Sequence, residues 1–425
     1  MISKHLKLLV PSLLPLLSYF CLSLALPITL TYGQEPSQPS VPLDPVVARV
    51  EMKLAASGEA ADIIAKGDLL TVLEVRGDRY VIQTFSGRKG IVAKVNALQL
   101  AESAPIYSEL IEASPTEGRL YTLRASAYWA LQDREKALAD FDKAIELGYD
   151  APHAFNSRGL FFAATENYAK AIDDFSKAIS KDAKDESSFI NRAAAYVQLG
   201  KLKEAIADYD AAIALRPQNA ALYQQRAVSK KVAGQLEAAI DDFSKAIEIE
   251  PQSIPALMGR GFVHFQMADH AKAIEDFSKV IELEPTAAVA YNNRGYNLQQ
   301  LQKEESAATD FEKAIQHAPQ YGLAYQNQAW LLATSQNPKI RNPIKAVESA
   351  RKACELSEYR NVSDLAALAA SLAATGEFEQ AAEWQKKVVD QADPSQREYA
   401  NKVLDRYKTR LPFDLELLKQ QGIQK

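Results

Sequence analysis

The sequence predicts a mainly α-helical protein, in which an α-solenoid superhelix of helical hairpins follows a small all-β barrel and an N-terminal apolar segment. Three observations support this prediction. Chemically similar residues recur every 34 positions from residue 118 onward, a period typical of repeats built from two helices. Residues 68–95 contain short β-branched and aromatic runs separated by turn residues. Residues 8–30 are apolar and uncharged.

The composition excludes several classes of protein. The chain has 425 residues, of which 47% are hydrophobic and 24% are charged, and these values rule out a disordered or collagen-like chain. Its 49 basic residues are outnumbered by 54 acidic ones, which gives a formal net charge of -5. Because nucleic-acid binding depends on neutralising phosphates with basic residues, we expect no nucleic-acid partner.

The N-terminus has the features of an export signal. Lys4 and Lys7 precede the apolar run, which is long enough to span a bilayer if it is not cleaved. Residues 1–33 are therefore predicted to be a signal peptide or a membrane anchor, and both alternatives stay open. Residues 34–45 are polar and Pro-rich and predict a linker. We expect an exported protein, periplasmic or envelope-associated, that contacts membrane only through this segment.

Three strands are predicted next, at Asp68–Val75, Arg79–Phe85 and Gly90–Val95, with Gly77 and Gly87 in the turns between them. The sequence from Lys66 to Val92 resembles a bacterial SH3-like barrel, which we place at residues 46–100. That resemblance implies a small adaptor module, sometimes a binder of cell wall or short peptides. The family's closing strand commonly opens with Gly-Trp, whereas this chain has Gly90-Ile91.

The 34-residue period is carried by small and aromatic residues in a fixed order. Each repeat has an alanine, an aromatic residue four positions later and a further small or β-branched residue three positions after that. This order resembles the tetratricopeptide repeat (TPR), and the last two units resemble those of exported planctomycete-type TPR proteins. The resemblance implies a superhelix with a concave groove for a protein or peptide partner. The alanines are Ala137, Ala171, Ala205, Ala239, Ala273 and Ala307, and the aromatics are Phe141, Phe175, Tyr209, Phe243, Phe277 and Phe311.

The same phase sets the domain boundaries. We predict eight TPR units at 118–395, of which the seventh carries a loop insertion at 335–343. Residues 101–117 are predicted to form a capping half-repeat helix, and residues 396–425 a C-terminal capping helix that covers the last apolar face.

Arginine and aspartate also recur with this period, and each aspartate follows its arginine by 16 residues. A charge at a packed helical position needs a partner, so we predict a mainly structural ladder of pairs within each repeat. An anion-binding role for the arginines is the alternative. Unit seven has Gln328 and Ser349 at these positions. The ladder consists of Arg124, Arg158, Arg192, Arg226, Arg260 and Arg294 with Asp140, Asp174, Asp208, Asp242, Asp276 and Asp310.

Polar residues at the fifth and sixth positions of the first helices are the candidates for binding a partner. A side-chain amide offers both a hydrogen-bond donor and an acceptor, so a row of amides suits an extended peptide of varied sequence. The alternative is an ordinary polar surface. The candidates are Asn156, Ser157, Asn191, Gln224, Gln225, Asn292 and Asn293.

No motif of the sequence indicates catalysis. The histidines of the repeats fall at unrelated phases, and the chain has neither a CxxC pair nor a phosphate-binding glycine loop. We expect no enzyme, catalytic residue, metal or cofactor.

The predicted function is a protein-protein interaction scaffold of the cell envelope that binds a protein or peptide in the TPR groove. One alternative is an adaptor in which the SH3-like domain binds cell-wall polymer. Another is an intracellular or membrane-anchored scaffold or co-chaperone. The family's clamp for C-terminal carboxylates is not reproduced, because Lys231 is the one lysine placed on that side.

Overall fold

The computed structural model describes residues 45–54, 62–84 and 87–414. The predicted signal or anchor at 1–33, nearly all of the linker at 34–45 and the end of the C-terminal cap lie outside these ranges. Within them the chain forms seven strands followed by eighteen α-helices. It divides into two compact units that meet in sequence at Pro217 and Gln218, and each is described by itself.

The first unit opens with the β module, strands β1–β7. Strands β6, β5, β4, β1 and β7 form one sheet in that order, with antiparallel neighbours, and β2 pairs with β3. The predicted strands correspond to β4, β5 and β6. The bounds are β1 Val46–Ala48, β2 Met52–Leu54, β3 Asp62–Ile64, β4 Leu69–Arg76, β5 Arg79–Gln83, β6 Lys89–Ala93 and β7 Ala97–Gln99.

Alternation along these strands builds a small core. Leu70, Val72, Ile82 and Val92 are buried on one face of the sheet, as the two-residue side-chain period of a strand requires. The tight turn between β4 and β5 contains Gly77 with φ 58°, a backbone conformation that glycine adopts without steric cost.

The helices of the first unit begin with a single helix, α1, and continue as three hairpins, α2/α3, α4/α5 and α6/α7, whose two helices pack together. Their bounds are α1 Ala104–Ala113, α2 Gly118–Ala130, α3 Arg134–Glu146, α4 Pro152–Ala164, α5 Tyr168–Lys181, α6 Glu186–Gln198 and α7 Leu202–Leu215.

The second unit holds five hairpins, α8/α9 to α16/α17, and a last helix, α18. Residues 335–342 separate α14 from α15, so the extra residues of this hairpin lie in the loop between its helices. The bounds are α8 Ala220–Val232, α9 Leu236–Ile249, α10 Ile254–Gln266, α11 His270–Leu283, α12 Ala288–Gln300, α13 Glu304–His317, α14 Gly322–Thr334, α15 Pro343–Leu356, α16 Val362–Thr375, α17 Phe378–Gln391 and α18 Pro394–Lys408.

Among the described residues, no helix is both long enough and apolar enough to span a bilayer.

Each hairpin is held by a ring that lies against a small residue. Phe311 of α13 is fully buried, and a Cβ added at Gly295 of α12 would lie 2.9 Å from its ring. Protein interiors are packed densely enough that such a contact leaves no room for a larger residue. The period-34 aromatics are therefore core residues that join the two helices of a hairpin.

The β module packs directly on the first helices. Val47 of β1 shares a core with Ala104, Tyr107 and Ala127. The Tyr107 hydroxyl donates a hydrogen bond of 3.1 Å to the carbonyl of Gly67, and burial raises the pKa of Tyr107. The module thus covers the apolar face that the first hairpin would otherwise expose to solvent, as an end cap does in a repeat array.

We expect Tyr107→Ala to lower the free energy of unfolding by about 3 to 5 kcal/mol, because it empties a fully buried aromatic position. Tyr107→Phe removes only the hydrogen bond and should cost about 1 kcal/mol. Urea titration followed by circular dichroism measures both effects. Val95→Ala, at a side chain that is 71% exposed, is the matched control. Equal effects of Tyr107→Ala and Val95→Ala would contradict the proposed cap.

Candidate functional site

The arginines and aspartates of the repeats form pairs within each hairpin. Every arginine lies on a first helix and donates through Nε and Nη2 to both carboxylate oxygens of the aspartate on the second helix. These twelve distances lie between 2.6 and 3.0 Å. The bonds join Arg124 to Asp140, Arg158 to Asp174, Arg192 to Asp208, Arg226 to Asp242, Arg260 to Asp276 and Arg294 to Asp310.

All six aspartates are buried, which strengthens the argument for a structural role. A buried carboxylate is stable only when it is paired and hydrogen-bonded, and a two-pronged guanidinium meets both needs. The hydrogen bond to Asp140 raises the pKa of Arg124, and Asp310 does the same for Arg294. These guanidinium groups therefore remain charged at every pH at which the protein folds.

A third hydrogen bond connects neighbouring hairpins and was missed from the sequence. The Nη1 atom of the arginine donates to a side chain 16 residues earlier, on the preceding second helix or, for Arg124, on α1. This position also has a period of 34, so the signal was present. The acceptors are Ser108 for Arg124 at 3.1 Å, Asp142 for Arg158 at 2.7 Å, Ser176 for Arg192 at 2.9 Å, Ser244 for Arg260 at 3.1 Å and Ser278 for Arg294 at 3.2 Å.

We call each pair with its neighbours a rung. With all three nitrogens engaged in these five rungs, the guanidinium groups do not point unpaired into a groove. The anion-binding alternative therefore finds no support in this geometry.

The rung changes character in the last two hairpins. In the seventh, the Ser349 hydroxyl donates to the Gln328 side-chain oxygen at 2.8 Å, and both residues are buried. In the eighth, Leu368 is fully buried and packs in the same apolar cluster as Trp384. The same position thus holds an ion pair, then a neutral pair, then an apolar contact.

Two of the amide candidates meet across neighbouring hairpins. Asn191 of α6 donates through Nδ2 to Oδ1 of Asn156 on α4 at 3.1 Å, and the Ser188 hydroxyl donates to the same oxygen at 3.2 Å. The amide nitrogen of Asn156 and the amide oxygen of Asn191 have no partner among the described residues. Both side chains are partly exposed. Together they present one donor and one acceptor to solvent.

Asn292 corrects the expectation of an exposed row. Its side chain is 1% exposed, because its oxygen accepts from Asn327 of the next hairpin at 2.9 Å and its nitrogen lies 3.4 Å from the Tyr321 hydroxyl. Asn293 accepts from Asn292, but its own amide nitrogen is buried and has no acceptor among the described residues. These residues tie hairpins together and are not accessible to a ligand.

Asn327 was not predicted, because it follows Asn292 by 35 residues and not by 34. The same offset separates Asn156 from Asn191.

Ser157, Gln224 and Gln225 are not drawn into these contacts. Their side chains make no hydrogen bond to another described residue. Ser157 and Gln224 are half-buried, and Gln225 is exposed. They remain polar surface positions on first helices.

Within the described ranges, no group of three or more His, Cys, Asp or Glu side chains is placed to hold a metal ion. His153 lies 2.5 Å from the Tyr149 hydroxyl, and His264 is buried. Desolvation lowers the pKa of both histidines.

Family models match the part of the chain that carries these rungs. Models of the tetratricopeptide repeat match residues 122–186, 187–219, 220–253, 254–286 and 288–321. This part of the chain is an array of tetratricopeptide repeats. The hairpins α14/α15 and α16/α17 follow the matched residues and continue the same pairwise packing.

Solved structures show the same fold at low sequence identity. The C-terminal part of a TPR repeat-containing protein from Cytophaga hutchinsonii is 21% identical, with 56% of this chain and 96% of that chain covered and a TM-score of 0.49. YrrB, described as a TPR protein with an unusual peptide-binding site, is 22% identical, with 43% and 95% covered and a TM-score of 0.39. MamA from Desulfovibrio magneticus RS-1 is 23% identical, with 40% and 97% covered and a TM-score of 0.38. No curated protein sequence matches the chain.

One buried carboxyl group lies behind the regular TPR units. Asp364 of α16 is 4% exposed. Burial raises its pKa to about 6, although a hydrogen bond from Ser357 acts in the opposite direction. Its neighbour Asn361 caps the helix by accepting from the backbone N–H groups of Ser363 and Asp364.

The rungs can be tested by copying the chain's own neutral version. Arg260→Gln alone strands the buried Asp276 carboxylate and should lower the free energy of unfolding by about 3 kcal/mol. Adding Asp276→Ser reproduces the Gln328 and Ser349 pair and should restore most of that loss, as measured by urea titration. If the double variant is as unstable as Arg260→Gln, the rung is not an isolated pair and the interpretation fails.

The Asp364 carboxyl group should make stability depend on pH. Its folded pKa of about 6 lies above the ordinary value of 3.8, so the folded state holds the proton more tightly. Stability should therefore fall by about 3 kcal/mol as the pH rises from about 4 to 6. Asp364→Asn should remove this step, measured by urea titration with Trp330 and Trp384 fluorescence. The exposed Asp390→Asn is the control, and a step that persists in Asp364→Asn would refute the assignment.

Proposed function

We propose that this protein is a non-enzymatic interaction scaffold of the cell envelope that binds an extended segment of a protein or peptide along the first helices of its TPR units. One observation carries the proposal. The Asn156 and Asn191 amides touch across two hairpins and leave a donor and an acceptor facing solvent.

The chemistry of this pair matches that of a peptide group. A backbone carbonyl can accept from the Asn156 amide nitrogen, and a backbone N–H can donate to the Asn191 amide oxygen. Because neither amide carries a charge, the pair can lose water more cheaply than an ionised side chain would. Such a site reads the backbone and tolerates varied side chains.

The structure assigns other roles to the charged residues of the repeats. In five rungs the guanidinium is bonded to its own aspartate and to the preceding element, so the rungs hold the scaffold and do not bind the partner. The β module, for which we keep the SH3-like assignment as a proposal, closes the first hairpin. The envelope location rests on Lys4, Lys7 and the apolar run at 8–30, which lie outside the described residues.

The test uses the full chain and an array of unstructured peptides. Peptides that bind are made again with single N-methylated backbone amides, which cannot donate a hydrogen bond. We expect N-methylation at one position, and the double variant Asn156→Leu with Asn191→Leu, to weaken binding by about tenfold. Asn401→Ala, at an exposed site on α18, is the control.

Unchanged binding by both the double variant and the N-methylated peptides would reject the amide site. Loss of binding with an altered urea midpoint would point to a folding defect, so midpoints are recorded for every variant.

A further inference from the structure

A cavity of about 330 Å³ lies at the neutral rung of the seventh hairpin. It is lined by Glu312 of α13, Tyr325 and Gln328 of α14, and Lys345, Glu348 and Ser349 of α15. All of these residues belong to the second compact unit.

The lining is a rung from which the guanidinium has been removed. In the preceding hairpin, the Arg294 guanidinium lies 5.6 Å from the centre of the Tyr291 ring and donates to Ser278. The equivalent positions, 34 residues later, hold Tyr325, Gln328 and Glu312. The aromatic ring is kept, the hydroxyl acceptor becomes a carboxylate, and the arginine becomes a shorter, uncharged side chain.

The polar ends of the shortened pair are turned toward each other. Gln328 is 4% exposed and Ser349 is 5% exposed, and their hydrogen bond of 2.8 Å occupies one wall of the cavity.

The charges around the cavity favour a cation. Glu312 and Glu348 supply two carboxylates against the single ammonium of Lys345. The Lys345 ammonium lies 2.6 Å from Glu312, with side chains that are 43% and 56% exposed. An exposed pair of this kind is worth little, so an incoming cation can replace the lysine at Glu312.

We propose that this cavity binds a guanidinium group, the side chain of an arginine in a peptide ligand. The carboxylates offer acceptors to a planar set of donors, and the Tyr325 ring offers a face for cation-π contact. This inference deepens the proposed function, since it adds a preference for arginine to a site that otherwise reads the backbone.

The first experiment uses the full ¹⁵N-labelled chain and three small probes. N-acetyl-arginine amide should shift the Gln328 side-chain amide signal in a saturable manner. N-acetyl-citrulline amide, which has nearly the same shape without the charge, should bind about tenfold more weakly or not at all. N-acetyl-lysine amide tests the geometry of the donors. Equal binding of the arginine and citrulline probes, or of the arginine and lysine probes, would overturn the proposal.

Variants locate the site. Glu312→Gln should abolish the shift, whereas Glu355→Gln, an exposed glutamate on the same helix α15, should not. Gln328→Arg combined with Ser349→Asp rebuilds the charged rung, fills the cavity with the chain's own guanidinium and should also abolish binding, read for this variant from backbone signals of α14. Persistent binding in both Glu312→Gln and the rebuilt variant would refute the assignment.

The outcome is separable from that of the amide site. The Asn156→Leu and Asn191→Leu double variant should bind the arginine probe normally, because its changes lie in the first compact unit. A chain that binds the arginine probe but no longer binds peptides would retain the cavity and lose only the amide site.

Discussion

The three-way contact of each guanidinium is the interaction on which the array depends. The aromatic and small residues hold two helices into a hairpin, but apolar contacts alone tolerate sliding and repacking. The arginine removes that freedom, because Nε and Nη2 fix the aspartate of the same hairpin while Nη1 fixes the preceding element. A bidentate pair demands one geometry. Position and orientation of each hairpin follow from it within each compact unit.

The rungs also explain where function is located. Charged side chains that recur in every repeat invite assignment to ligand binding, yet here they are consumed by the scaffold. What is left for a partner is less regular: an amide pair on two first helices, and a cavity where one rung has lost its charge. Both features depart from the repeat, as expected when a site is added to a fold that serves many functions.

The period of the sequence predicted the mainly helical TPR solenoid, which the structure and the family models confirm. Contacts between hairpins were harder to predict. Asn292 reads as a surface amide at the fifth helical position, but the next hairpin brings Asn327 against it at an offset of 35 residues, which a search for strict repeats passes over. The burial of Asp364 depends on helices distant in sequence, and no single-position pattern encodes it. The acceptors of Nη1 were periodic, yet serine and aspartate alternate there and hide the period.

The rung has a consequence for how such a chain can lengthen. Every regular unit contains one guanidinium, one carboxylate pair and one acceptor for the unit that follows it, so duplicating or deleting a whole unit leaves no charge without a partner. An array of this kind can change length freely, provided that its two ends are treated separately. Ser108 on α1 supplies the first acceptor, and the neutral pair of Gln328 with Ser349 ends the series. The ends are the places where heredity cannot simply copy the unit, and there the chain has acquired residues of its own.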